Sequence, residues 1–272
     1  MTPSRRACLF GLPALALGLA AWERGLPVAA AQPKPLQPVT PETAALSDAP
    51  ALNSLWAAWQ SNAAALVAQA KRRRWTLGDV ARQPGAIDSD LRAFEGELGQ
   101  PLPSQLRWAV QRARFWAFEW QTRDHPLKRV HDGGALMGVG AIWAINDDLL
   151  AQFRFWRQHH EQFVADDPAA LAKHRALWAR HVPFCAMENG DLLTIDARGD
   201  DPARQLVRYY CHEGYNGPHE EVLAPDFFSF ISRWSAIGFL DLERFLMQGN
   251  HLTAADPASL AFHNWVNGVP TG

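Results

Sequence analysis

The chain has 272 residues, with 26 lysines and arginines against 28 aspartates and glutamates, which gives a formal net charge of −2. So small a charge offers no electrostatic basis for binding nucleic acid or an anionic membrane surface, and we set those function classes aside. The length is sufficient for one large domain with extensions.

Residues 1–31 have the pattern of an export signal. Arg5 and Arg6 give a positive start, an apolar stretch too short to span a bilayer follows, and small residues end at Ala31. The start resembles the twin-arginine consensus, with Cys8 where an aromatic residue is usual, and an ordinary Sec signal is the alternative. We therefore expect cleavage near Ala31 and a periplasmic or secreted mature protein without an integral membrane segment.

Two segments precede the main predicted domain. Residues 32–46 are rich in proline, which is typical of an extended linker. Apolar side chains then recur at three- and four-residue spacing, which predicts an amphipathic helix over 48–74 within an N-terminal helical extension at 47–83. The basic run 71–74 at the helix end complements the helix dipole.

Two shorter helices are predicted next. Asp88 or Ser89 caps the first of them, whose apolar stripe ends at Gly99, and a Leu-Pro turn opens the second. A glycine-rich, irregular segment is predicted at 131–140. The short apolar run after it predicts a strand at 141–145.

The pattern then passes from helices to a sheet. Asn146 caps a helix with Phe163 on its inner face, and Asp167 starts another. Turn residues separate three β-prone runs, which predict an antiparallel meander at 181–187, 191–196 and 205–211. The chain is predicted to end in helices at 226–238, 241–248 and 257–266. Helices on both sides of a small antiparallel sheet define an α+β fold.

Four segments carry a resemblance to a known family: residues 87–104, 182–196, 207–213 and 223–231. The first has a Leu-Pro turn between two helices, and the second has a Gly-Asp pair before an apolar strand that ends in Asp. In this order they resemble the Smi/Knr-type domain of the SUKH superfamily, which we expect at 84–240 with a C-terminal helical extension at 241–272. Segment 115–180 is longer and richer in tryptophan than the family pattern.

The resemblance implies a protein-binding domain that is not an enzyme and uses no cofactor. It would be either an immunity protein that blocks a toxin or a scaffold tied to cell-wall synthesis, and export would limit its partner to the cell envelope. We expect contact through the open sheet surface, its turn at 188–191 and its loops at 197–203 and 212–221. The predicted binding residues are Glu188, Asp191, Asp196, Asp200, Tyr209, His212, Glu213, Tyr215 and Glu220.

Two alternative functions follow from other residues. The mature chain is rich in tryptophan, and Trp116, Trp120 or Trp143 would suit a glycan binder if they were exposed in a groove, although such side chains usually pack in cores. The histidines and carboxylates within 212–221 have spacing that can bind zinc and would suit a metal-dependent hydrolase, although a solvated loop has the same composition.

Two further pairs of side chains have open roles. Asp191 and Asp196 bracket a predicted strand and can simply accept backbone N–H groups of turns. An oxidising compartment permits a disulfide between Cys185 and Cys211, but buried free thiols are the favoured interpretation.

Overall fold

A computed structural model describes residues 49–78, 80–117, 119–123, 136–138, 141–187, 189–197, 205–211, 220–247, 249–253 and 256–268. The predicted signal peptide and proline-rich linker lie outside these residues. The described helices are α1 (Ala49–Arg72), α2 (Asp88–Leu98), α3 (Ser104–Val110), α4 (Asp147–Val164), α5 (Pro168–Trp178), α6 (Phe227–Ala236), α7 (Leu242–Leu246) and α8 (Pro257–Val266). None of these helices is both long and apolar enough to cross a membrane.

The strands form three antiparallel sheets. They are β1 (Thr76–Leu77), β2 (Ala81–Gln83), β3 (Phe115–Ala117), β4 (Trp120–Thr122), β5 (Leu136–Gly138), β6 (Ala141–Ala144), β7 (His181–Ala186), β8 (Leu192–Ala197), β9 (Gln205–Tyr210) and β10 (Glu221–Ala224). The main sheet has the order β10-β9-β8-β7, and the two small sheets have the orders β1-β4-β5 and β2-β3-β6. Helices and antiparallel sheets in one chain confirm the α+β fold.

The predicted meander is present as β7, β8 and β9. The fourth strand, β10, was missed because its four residues adjoin a helix and carry little alternation. Segment 131–140 was predicted to be irregular, but Leu136–Gly138 forms strand β5 against β4. The remaining residues of that segment lie outside the described part of the chain.

Local side-chain chemistry sets several helix ends as predicted. The Asn146 side chain accepts the Leu149 N–H at 2.9 Å, and Asp226 accepts the Ser229 N–H at 2.8 Å. Gly99 ends α2 with a left-handed φ of 80°. The predicted start of α2 was wrong by one residue: Ile87 occupies the cap position.

The Leu-Pro turn between α2 and α3 is held by a carboxylate of α2. Glu95 accepts the Leu102 backbone N–H at 2.6 Å and also forms a salt bridge with Arg107 of α3. One side chain therefore fixes both the turn and the orientation of the next helix, which explains why a glutamate follows Phe94 in this motif.

The main sheet is covered on both faces at its centre. On one face, the Phe184 ring lies 5.3 Å from Phe227 and 5.7 Å from Phe230 of α6. On the other face, Trp178 of α5 packs 4.8 Å from Tyr210. Residues 192–196 of β8 are all buried. The expectation of an open sheet surface is therefore wrong for the central strand.

Helix α1 packs against α6 through polar as well as apolar contacts. The Trp59 indole donates to the Ser232 hydroxyl and Asn62 donates to the Ser235 hydroxyl, each at 2.9 Å. These buried hydrogen bonds attach the N-terminal helical extension to the helix that underlies the main sheet.

Cys185 and Cys211 are buried and form no disulfide. Cys185 lies in β7 and Cys211 follows β9, and strand β8 separates the two. The favoured interpretation of buried thiols without a disulfide is confirmed. Strands β7 and β9 are two strand spacings apart, about 10 Å, whereas a disulfide requires Cα atoms within about 7 Å of each other.

Candidate functional site

Only part of the predicted binding set lies within the described residues. Asp191, Asp196, Tyr209 and Glu220 are described. The other five predicted residues lie outside the described part of the chain: Glu188, Asp200, His212, Glu213 and Tyr215.

Asp191 lies at the start of β8 and is fully buried. Its carboxylate accepts hydrogen bonds from the Tyr209 hydroxyl and, at 2.6 Å, from the Asn189 side-chain amide. The same amide nitrogen lies 2.7 Å from a carboxylate oxygen of Glu243, at the start of α7. Asp191 and Tyr209 therefore support the 189–191 turn from inside, and neither presents a surface for direct contact.

The 189–191 turn is also fixed from the helical side. The Gly190 carbonyl accepts hydrogen bonds from Gln152 and from the Trp156 indole, each at 3.0 Å. Gly190 has a φ of 98°, which only glycine adopts readily. Helix α4 thus holds the turn in one conformation.

Asp196 lies near the end of β8 and is also fully buried. Its carboxylate is paired with Arg208 at 3.3 Å and with Arg180 at 3.6 Å. Arg208 also donates to the Glu220 carbonyl at 3.0 Å. These two arginines neutralise the buried carboxylate, and the suggestion that Asp196 also accepts turn N–H groups stays a prediction.

A second set of buried polar side chains, from β7, β8 and β9, lies beside these carboxylates. His181 Nδ1 lies 2.7 Å from the Thr194 hydroxyl, and the Tyr210 hydroxyl lies 3.2 Å from His181 Nε2. Burial raises the pKa of the Tyr210 hydroxyl, with a further contribution from Glu220. Sequence reasoning missed this group because its members come from three strands.

The exposed part of the main sheet is its β9–β10 edge. Val222 is 45% exposed and pairs in register with Arg208. Glu220, directly before β10, is exposed and has a left-handed φ of 61°. Among the described members of the predicted binding set, Glu220 is the residue that a partner can reach directly.

One group of side chains has the composition of a metal site. The donor atoms of Asp191, Cys211 and Glu243 all lie within 4.8 Å of one another. The amide of Asn189 already joins the two carboxylates, which gives the group a structural explanation. The loop residues 212–219, on which the hydrolase alternative depends, lie outside the described residues, so that alternative stays a prediction.

The glycan alternative named three tryptophans, and all three are buried. Trp116, Trp120 and Trp143 are 4%, 1% and 0% exposed. The Trp143 indole donates to the Ala113 carbonyl at 2.7 Å, and the Trp120 indole donates to the Gly238 carbonyl at 2.8 Å. Since none of the three offers a ring face to a sugar, a glycan site built from them is wrong.

The fold and this end of the sheet define the class of protein: an α+β domain whose 189–191 turn is held by buried, paired polar side chains. The chain matches the model of the SMI1 / KNR4 family (SUKH-1) over residues 85–233, more than half of its length, and it belongs to that family. No curated protein and no solved structure matches the chain. The domain boundaries at 84 and 240 stay a prediction.

Proposed function

We propose that the mature chain is an exported, non-catalytic protein-binding domain that acts as an immunity-type inhibitor of a toxin in the cell envelope. The family match over residues 85–233 is the observation that carries this proposal. The alternative within the same binding function is a cell-envelope scaffold, which would bind its partner without inhibiting a toxin.

The geometry of the sheet end supports a binding role. Recognition without a large conformational cost requires loops that are already ordered. The 189–191 turn is fixed by Asp191 from below and by α4 from the side, and Glu220 and Val222 lie exposed at the neighbouring edge. A partner would therefore meet a preformed edge at β10.

The binding proposal is tested by capture from envelope extract with matched variants. Val222→Asp places a charge on the exposed β9–β10 edge, and Leu260→Asp places the same charge on the exposed face of α8, where Leu260 is 56% exposed. We expect one specific partner to be captured by the natural protein and by Leu260→Asp, but not by Val222→Asp. No partner at several salt concentrations would refute the binding proposal, and equal recovery with all three proteins would exclude the β9–β10 edge as the contact surface.

An immunity protein and a scaffold are separated by a growth assay. The captured partner is expressed in the envelope with and without this protein. An immunity protein restores growth that the partner alone prevents, whereas a scaffold leaves the growth of partner-expressing cells unchanged.

The proposed export depends on the signal pattern of residues 1–31, and a separate experiment tests it. Replacing Arg5 and Arg6 together with lysine should leave the protein in the cytoplasm if the twin-arginine route is used, because that route reads the arginine pair itself. An ordinary Sec signal tolerates the change, since the positive charge remains. Amino-terminal sequencing of the exported form checks cleavage near Ala31.

A further inference from the structure

A cationic and aromatic surface is built from α1, β2 and the residues around the end of α3, all outside the main sheet. We call it the arginine–tryptophan patch. Its members are Trp56, Arg82, Trp108, Arg112 and Arg114.

Two of the guanidinium groups lie over tryptophan rings. The guanidinium carbon of Arg82 is 5.1 Å from the Trp56 ring centroid, and that of Arg112 is 3.4 Å from the Trp108 centroid. The two rings meet edge to face, with centroids 6.2 Å apart. Arginine and tryptophan thus alternate across one continuous surface.

Hydrogen bonds to neutral groups hold the three arginines in place. Arg82 donates to the Arg112 carbonyl at 3.2 Å, and Arg112 donates to the Asn53 side-chain oxygen at 3.2 Å. Arg114 donates to the Gln83 side-chain oxygen at 2.7 Å. These bonds orient the guanidinium groups without neutralising their charge.

None of the three arginines of the patch forms a salt bridge with a described carboxylate. The arginines that form salt bridges with described carboxylates lie elsewhere: Arg107, Arg154, Arg175, Arg180 and Arg208. Arg82 and Arg114 are exposed and Arg112 is half-buried. In a chain of net charge −2, three oriented cations that no described carboxylate pairs with form a local positive site.

The same contacts argue against a sugar as the ligand. A sugar stacks on an open indole face, but the guanidinium groups cover Trp56 and Trp108. Trp56 also packs against Trp116 and Trp143, with ring centroids 5.7 and 5.9 Å away. A ligand therefore meets guanidinium N–H groups first, and these match the planar, bidentate geometry of carboxylates.

We propose that the arginine–tryptophan patch binds an acidic segment of a protein partner, whose carboxylates pair with Arg82, Arg112 and Arg114. This inference rests on the proposed protein-binding function and adds a second contact surface to it. Arginine and tryptophan are enriched among the residues that dominate binding energy in protein interfaces. The underlying tryptophans hold the guanidinium groups in position, which reduces the entropy lost on binding.

The test uses a synthetic peptide of alternating glutamate and glycine as the probe, and the same peptide with glutamine for glutamate as its control. Binding to the purified protein is measured by calorimetric titration. We expect Arg82→Gln and Arg114→Gln each to weaken binding of the glutamate peptide by about tenfold, because each removes charge-assisted hydrogen bonds. Arg92→Gln, which removes an exposed arginine of α2 outside the patch, should leave the affinity unchanged.

Several results would overturn the inference. These are equal binding of the glutamine peptide, equal loss with Arg92→Gln, or tighter binding of a sulfated polysaccharide or single-stranded DNA than of the acidic peptide. Circular dichroism shows whether each variant is folded, and Arg82 and Arg114 were chosen because their exposed side chains contribute little to stability.

The outcome is distinguishable from that of the proposed function. If the envelope partner is captured but the acidic peptide does not bind through Arg82 and Arg114, only this inference fails. If Val222→Asp abolishes capture and still binds the peptide normally, the patch is a separate surface, as the inference requires.

Discussion

The main sheet and the tryptophan-rich region both have a packed interior, but different kinds of side chain fill it. We define the tryptophan-rich region as α1, β1–β6 and α8. The interior of the main sheet contains paired polar side chains such as Asp191 with Tyr209 and His181 with Thr194. The tryptophan-rich region is filled by indoles, and the described N–H groups of Trp120 and Trp143 bond to backbone carbonyls.

The two kinds of interior respond differently to substitution. A buried polar pair fixes one arrangement of the surrounding loops, but it is costly to break because the remaining partner is left unsatisfied. An indole cluster stabilises mainly through its large buried area and its ring contacts. The polar pairs therefore fix the 189–191 turn, and the indole cluster stabilises the fold around α1.

The largest expected effect is the loss of an indole from the tryptophan-rich region. Trp143 is fully buried and packs 5.3 Å from Trp116, so Trp143→Ala should reduce the free energy of unfolding by about 3–5 kcal/mol. Urea denaturation measures the change. The matched control is Phe163→Ala. The prediction that Phe163 lies on the inner face of its helix was wrong, because its side chain is 67% exposed, and its loss should change stability by less than about 0.5 kcal/mol. Similar effects of the two changes would contradict the assignment of this region as the core.

The next effect tests the polar pair in the main sheet. Asp191→Ala leaves the buried Tyr209 hydroxyl without this acceptor and should cost about 1–3 kcal/mol. Tyr209→Phe removes the other partner, and the double variant should be less destabilised than the sum of the two single changes, with a coupling of about 0.5–3 kcal/mol. Strict additivity in denaturant titrations would show that the two side chains do not stabilise each other.

Two glycines compare a closely packed turn, at Gly85, with an open helix surface, at Gly96. A Cβ at Gly85 would lie 1.8 Å from the Gln111 carbonyl oxygen, so Gly85→Ala should destabilise by about 1–3 kcal/mol. At Gly96, in the exposed part of α2, a Cβ meets no atom within 4 Å. Gly96→Ala should therefore stabilise by about 0.5–1 kcal/mol. Thermal unfolding measures the change in stability of both variants. If both were destabilised or both stabilised, the predicted contrast would be wrong.

The smallest effect at accessible pH comes from buried protons in the main sheet. Burial raises the pKa of the Cys185 thiol from its ordinary value of 9.0 and that of the Tyr210 hydroxyl from 10.0. The folded state keeps these protons where the unfolded state releases them. Stability should therefore be complete below pH 9. Between pH 9 and 10 it should fall by at most about 1.4 kcal/mol because of Cys185, and Tyr210 should add a similar slope only above pH 10. Cys185→Ala should reduce this slope between pH 9 and 10 in denaturation curves, and an unchanged slope would assign the effect elsewhere.

Sequence patterns were a good guide to the long elements of the fold. The helix predicted at 48–74 is α1, and the capping roles of Asn146 and Asp226 follow from side chains that bond within three residues. The family resemblance followed from the order of four segments and is confirmed by the match over 85–233. The short strands β1–β4 were missed because two or three residues carry no usable periodicity.

The candidate site was harder to predict, since its parts are distant in sequence. Asn189 bonds to Glu243, 54 residues away, and Arg208 pairs with Asp196 across neighbouring strands. Asp191 and Tyr209 were predicted as binding residues of the open sheet surface and its turns. They face inward, however, which periodicity in a strand buried on both faces does not reveal.

The sequence by itself determined the α+β composition, the helix ends, the meander and the family, because each depends on residues close together in the chain. Only the tertiary structure decided which charges are buried and paired and which are exposed. It buried Asp191 and Asp196 beside hydroxyl, amide and guanidinium partners, and it left Arg82 and Arg114 exposed without a described carboxylate. The reason is that the cost of a charge depends on its neighbours in space, which segments far apart in the chain supply.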